Sequence, residues 1–229
     1  MALAQVRGVV VSGVTGALVQ VEVDVASGLP SVGVVGLPDT SVSESRWRAR
    51  SALGSIGAAW PNRRVTISLS PAEVRKNGAG LDLPIAIGVL AASDQLPGIS
   101  LASTTFIGEL GLDGRLRPTR GALAGALAAR DAGLDRIVVP PECADEVAHL
   151  PGIRVVLAAT LAQVVAVLRG EEPGEVAGPR AHESTTGILE HDLRDVRGHE
   201  FGRFALEVAA AGGHHLALVG PPGVGKTIH

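Results

Sequence analysis

The sequence predicts a mixed α/β fold of the α+β kind, and three observations predict it. The segment QVEVDV at 20–25 alternates polar and apolar residues with period two, the pattern of a half-buried strand. Alanine- and leucine-rich stretches at 82–93 and 121–132 have helical length and end at turn residues. Hairpin signals dominate the first third, and strand–helix alternation follows, so both kinds of strand connection are expected in one domain.

The elements follow in order. Residues 5–11 and 17–25 read as strands joined by a turn that Gly13 and Gly16 flank, a hairpin. Residues 31–35 form a short strand ending in Gly36-Leu37-Pro38, after which Asp39, Thr40 and Ser41 can cap a helix to about Gly57. Arg46, Arg48 and Arg50 do not share one face of that helix, so it reads as a solvated surface helix. Residues 63–69 are a strand between Pro61 and Pro71, and 70–81 a glycine-rich, charged loop. Asp82 is expected to cap the next helix, with Pro84 tolerated in its first turn. Residues 104–110 read as one strand, turned at Asp113-Gly114; 121–132 as a helix stopped at Gly133. Strands at 136–139 and 154–157 and helices at 142–149 and 161–168 complete a first domain, 1–169. Residues 170–187 have linker composition, and 188–229 form a second segment with a helix near 195–213 and a strand at His215–Val219 (HLALV).

Composition narrows the classes. The 229 residues are 46% hydrophobic and 19% charged, which supports a core and argues against disorder. The net charge of −3 excludes a global polycation, and 2% aromatics argue against a platform for stacking single-stranded bases. The lone Cys143 excludes an internal disulfide framework and reads as a passive thiol in a reducing compartment. The N-terminus has no signal-peptide pattern, and no apolar run reaches the ~20 residues of a membrane span, so a cytoplasmic location is expected.

The chemistry is concentrated in the last ten residues. Gly220, Pro221, Pro222, Gly223, Val224, Gly225, Lys226 and Thr227 read GPPGVGKT, with every fixed position of the Walker A pattern filled. Its glycines let successive backbone N–H groups point at phosphate oxygens. Lys226 is placed to reach the β- and γ-phosphates of ATP, and Thr227 to offer its hydroxyl to Mg²⁺. Other residues carry less. His182, His191, His199, His214 and His215 lack metal-site spacing. Asp39, Glu44, Glu73, Asp82, Glu109 and Asp113 are candidate acids, but capping and turn duties account for Asp39, Asp82 and Asp113. Ser41, Ser43, Ser45, Ser68 and Ser70 sit in no nucleophile elbow. Trp47 and Trp60 read as core or groove-filling residues.

Four stretches together resemble the magnesium-chelatase-like AAA+ ATPases of the YifB/ComM type: GLPSVGVVGLPDTSVSESRWRARSALGSIG, PNRRVTISLSPAEVRKNGAGLDLPIAIGVLAA, FIGELGLDGRLRPTRGAL and DVRGHEFGRFALEVAAAGGHHLALVGPPGVGKT. The resemblance implies a Lon-protease-like N-terminal domain of ribosomal-protein-like fold, a linker, and the start of an AAA+ module. It implies ATP and Mg²⁺ as ligands, a homo-oligomeric ring in the longer parent, DNA as its partner, and branch migration during transformation as its work. Lon peptidases use a Ser–Lys dyad. In the matching loop, Arg75-Lys76-Asn77-Gly78-Ala79-Gly80-Leu81-Asp82, Gly80 stands at the nucleophile position, and Leu123 falls at the lysine position. Peptidase chemistry is therefore not expected. The chain ends two residues after Thr227, so it is expected to turn over no ATP by itself. A metal-chelatase-type ATPase and a non-functional truncated product are the alternatives.

Overall fold

The computed structural model describes residues 2–96, 101–176, 193 and 196–220, and the chain divides into two compact units, 1–180 and 181–229.

The first unit is built on a mixed eight-stranded sheet. Its strands are β1 (Ala2–Ser12), β2 (Thr15–Ala26), β3 (Ser31–Val35), β4 (Arg64–Ser70), β5 (Thr104–Phe106), β8 (Arg136–Val139), β9 (Arg154–Leu157) and β10 (Glu175–Val176). A separate hairpin comprises β6 (Glu109–Leu110) and β7 (Leu116–Arg117). The strand order is β10-β9-β8-β5-β1-β2-β4-β3. β1 pairs antiparallel with β2 as a hairpin, β2 pairs antiparallel with β4 although β3 lies between them in sequence, and β1-β5-β8-β9 run parallel through helical crossovers.

Valine alternation assigns the two faces of the long β1–β2 hairpin. Val6, Val21 and Val23 point into one core, with helices α1 (Thr40–Ser55), α2 (Asp82–Ala92) and α5 (Leu161–Arg169). Val9 points to the opposite core, with α3 (Ala122–Asp131) and the single-turn α4 (Ala144–Val147). α2 is apolar all round and almost wholly buried, as a helix sandwiched between a sheet and other helices must be. It lies close on the sheet because Gly8 faces Leu81 and Pro84, and Gly88 faces Val23; a Cβ at either glycine would stand 2.7 Å from a side-chain carbon.

Most elements stand where the residues place them, including the Asp39 cap, whose carboxylate accepts from the Val42 N–H at 2.7 Å. Four differ. The strand expected over 104–110 is two strands, because at Gly108 the chain leaves the sheet to bond the preceding loop: Gly108 N–H donates to Gly80 and the Leu83 N–H donates to Gly108. The helix expected over 142–149 is a 3₁₀ turn, Pro141–Cys143, followed by α4. Asp82 is the first residue of α2 and does not cap it; Leu81 occupies the cap with no side-chain bond. Glu175–Val176, inside the stretch of linker composition, add an edge strand antiparallel to β9.

In the second unit, α6 (Glu200–Gly212) fills the helix expected near 195–213, closed by Gly213 in the left-handed conformation. The strand expected over His215–Val219 is not formed. Those residues are exposed and without regular secondary structure, and no strand pairs with them among the described residues, so their backbone groups lack the neighbour that makes a strand.

Candidate functional site

Of the eight residues read as a phosphate loop, Gly220 lies at the end of the exposed chain after α6. Pro221, Pro222, Gly223, Val224, Gly225, Lys226 and Thr227 lie outside the described residues. Nucleotide and Mg²⁺ contacts therefore rest on the chemistry of the donor set in the sequence.

The first unit holds the cleft where the resemblance places a peptidase dyad. The loop 77–80 and the segment 118–120 form its walls around about 360 Å³, with β1 residues Val9–11 and Ile107 behind. Gly80 lines it. A Cβ there would meet Ile107, the Val9 carbonyl and Thr119 at 3.7–3.9 Å, so the position has room for a side chain but has none. Leu123 is in the first turn of α3, partly exposed, with its N–H directed at Glu146, and is not among the residues lining the cleft. The Thr119 hydroxyl is buried without a hydrogen-bond partner among the described residues.

Lys76 turns away from the cleft. Its side chain is fully buried and its ammonium donates to the Pro71 carbonyl. Burial pulls its pKa below 10.5, against the partly compensating charge of Glu73. The loop is anchored at its base by Asp39. One Asp39 oxygen caps α1, the other accepts from the Gly78 N–H at 3.1 Å, and the Asp39 N–H donates to the Lys76 carbonyl at 2.9 Å.

Beneath the loop lies a polar centre that the sequence reading missed. The Asp82 carboxylate, wholly buried, accepts from the Arg48 guanidinium at 2.6 and 3.0 Å, from the Leu110 N–H at 3.1 Å, and from the Ser45 hydroxyl. The hydrogen bond to Asp82 is the largest influence raising the Arg48 pKa, and it outweighs desolvation. Arg48 also donates to the Ser41 carbonyl at 2.8 Å. The Asp82 carboxylate thus accepts four hydrogen bonds from this chain, and the centre ties α1, α2 and β6 together. No local signal announces it, because the partners are 34 positions apart.

Cys143 is buried, and that burial pushes its thiol pKa up, which suits a passive thiol. Among the described residues no group of three or more His, Cys, Asp or Glu side chains could hold a metal, and no helix is long and apolar enough to cross a membrane.

The first unit is a mixed α/β domain with a cleft lined by Gly80, and the sequence that follows it carries a phosphate-loop motif. A family profile described as "Subunit ChlI of Mg-chelatase" matches residues 21–143, and one described as "Magnesium chelatase, subunit ChlI" matches 192–229. The chain is 46% identical over 228 residues to an uncharacterized protein of Mycobacterium tuberculosis, covering all of this chain and 45% of the relative. It is 43% identical over 216 residues to the uncharacterized protein YifB of Escherichia coli, covering 94% of this chain and 42% of that one. It is 39% identical over 231 residues to the competence protein ComM of Haemophilus influenzae, covering all of this chain and 45% of that one. The chain belongs to the YifB/ComM family of magnesium-chelatase-like proteins. It spans less than half the length of these relatives.

Proposed function

We propose that this chain is the leading part of a ring-forming, ATP-driven motor that acts on DNA, with a leader domain that does no peptide hydrolysis. The observation that carries the reading is the unbroken GPPGVGKT loop inside the region that matches the magnesium-chelatase profile. The competence name of the Haemophilus influenzae relative supports the DNA assignment.

In this reading the backbone N–H groups of residues 223–227 hold the phosphates of ATP, Lys226 neutralises their charge, and Thr227 ligates Mg²⁺. The bound nucleotide and metal supply phosphoryl transfer. Catalysis of that step also needs acidic, sensor and arginine groups that positions 1–229 do not supply by motif. The leader has lost its chemistry at Gly80 and Leu123 and serves as a scaffold for the ring.

The test is nucleotide binding by a chimera in which residues 1–227 replace the matching part of the Escherichia coli relative. A fluorescent ATP analogue binds with Mg²⁺ dependence, and Lys226→Ala weakens it by at least tenfold. Equal affinity in the variant would overturn the reading. A second reading, an ATPase subunit of a metal chelatase, draws on the profile descriptions; indifference of turnover to DNA would favour it.

A further inference from the structure

From the geometry of the first unit we infer that the groove between α1 and the segment before β4 is a docking site for single-stranded DNA. The groove encloses about 260 Å³. Both tryptophans of the chain, Trp47 and Trp60, line it, together with Arg46, Arg50 and Arg63. No aspartate or glutamate is among the residues lining it. A chain of net charge −3 thus presents three guanidiniums and no carboxylate at this one place.

The side chains are arranged for a ligand with both phosphates and flat rings. Trp47 is 54% exposed, a large aromatic surface at the groove, whereas Trp60 packs partly on the core. The Arg46 guanidinium stands 5.1 Å from the Trp47 ring centre, and one of its nitrogens donates to the Val32 carbonyl at 3.2 Å. Its Nε is buried with no hydrogen-bond partner among the described residues. Arg50 and Arg63 are exposed. Aromatic faces interleaved with cations in an open groove suit a flexible strand whose bases can leave one another to stack on protein. A duplex keeps its bases stacked and cannot use Trp47. The low aromatic content of the whole chain concealed this, because an average does not register that both tryptophans share one groove.

The inference deepens the DNA reading by giving it a surface separate from the phosphate loop. The chain reports on it directly, since it has two tryptophans, both in the groove, and no tyrosine. Titrating the 229-residue chain with a twelve-nucleotide oligo(dT) at low salt is expected to quench tryptophan fluorescence to saturation. The logarithm of the association constant should fall against that of salt with a slope of about −2 for three phosphate contacts. Arg50→Ala with Arg63→Ala should bring the slope to about −0.7, and Trp47→Ala should weaken binding about tenfold or more. Arg115→Ala, at an exposed residue in the turn between β6 and β7, should change neither. These variants alter exposed side chains and leave the core intact. Absence of quenching, quenching indifferent to the groove variants, or equal quenching by tripolyphosphate would overturn the inference. So would tighter binding of a duplex or of oligo(rU). If the chimera hydrolyses ATP faster with DNA while the groove fails these tests, this inference alone falls.

Discussion

Arg48 and Asp82 form a buried ion pair that fastens the helix α1 to the helix α2, with the guanidinium Nε 2.6 Å from a carboxylate that has no solvent exposure. The Leu110 N–H and the Ser45 hydroxyl complete the carboxylate's shell. Removing one partner leaves a charge in a site built for two, which costs about 3–5 kcal/mol where the survivor stays buried. Arg48 is 20% exposed and can partly escape to water, so Asp82→Ala should cost about 3 kcal/mol, the low end of that range. Urea unfolding should show it as a lower midpoint at constant slope. Arg48→Met with Asp82→Leu should be less destabilising than the sum of the single changes. A loss below about 1 kcal/mol for Asp82→Ala would mean that the pair is dispensable.

Asp39 holds two things at once, the first turn of α1 and the loop that reaches Gly80. Asp39→Ala should cost about 1–2 kcal/mol through the lost cap. It should also speed amide exchange at Gly78, whereas amides in β2 keep their protection. Unchanged exchange at Gly78 would mean the second contact does not order the loop.

Lys76 makes a pH-dependent prediction. Its folded pKa is depressed below 10.5 by burial, so the unfolded chain binds more protons than the folded one between the depressed value and 10.5. The contribution of this residue to stability therefore rises with pH through that window and is least favourable below it. Lys76→Met removes the buried charge, and the gain of stability in that alkaline window relative to neutral pH should be smaller than in the parent chain. Identical pH profiles would show that the ammonium is not desolvated.

Two glycines separate steric need from mere occupancy. A Cβ at Gly16 would collide with the Ala124 carbonyl in α3, and Gly16→Ala should cost about 1–3 kcal/mol by forcing helix and strand apart. At Gly80 the nearest atoms stand at ordinary contact distance, so Gly80→Ala should change stability by less than about 0.5 kcal/mol. Thermal unfolding of the two variants side by side checks the contrast, and equal losses would contradict the geometry of the cleft.

Local chemistry was legible in the residues, and distant pairing was not. The valine alternation of β2, the Asp39 cap and the Asp113-Gly114 turn each depend on neighbours within a few positions, and each stands where the residues place it. The break at Gly108 depends on bonds to Gly80 and Leu83, the burial of Asp82 on Arg48, and the groove on two tryptophans brought together from α1 and the segment before β4. HLALV has the composition of a strand but no partner among the described residues, and pairing, not composition, makes a strand. The phosphate loop was the plainest signal because its eight positions are contiguous, while residues 221–227 lie outside the described part of the chain.

The most direct test of the central claim is ATP turnover by the chimera carrying residues 1–227, measured with and without DNA. The account predicts hydrolysis that DNA accelerates and that Lys226→Ala abolishes. Turnover that survives Lys226→Ala, or that ignores DNA at every concentration, would contradict it.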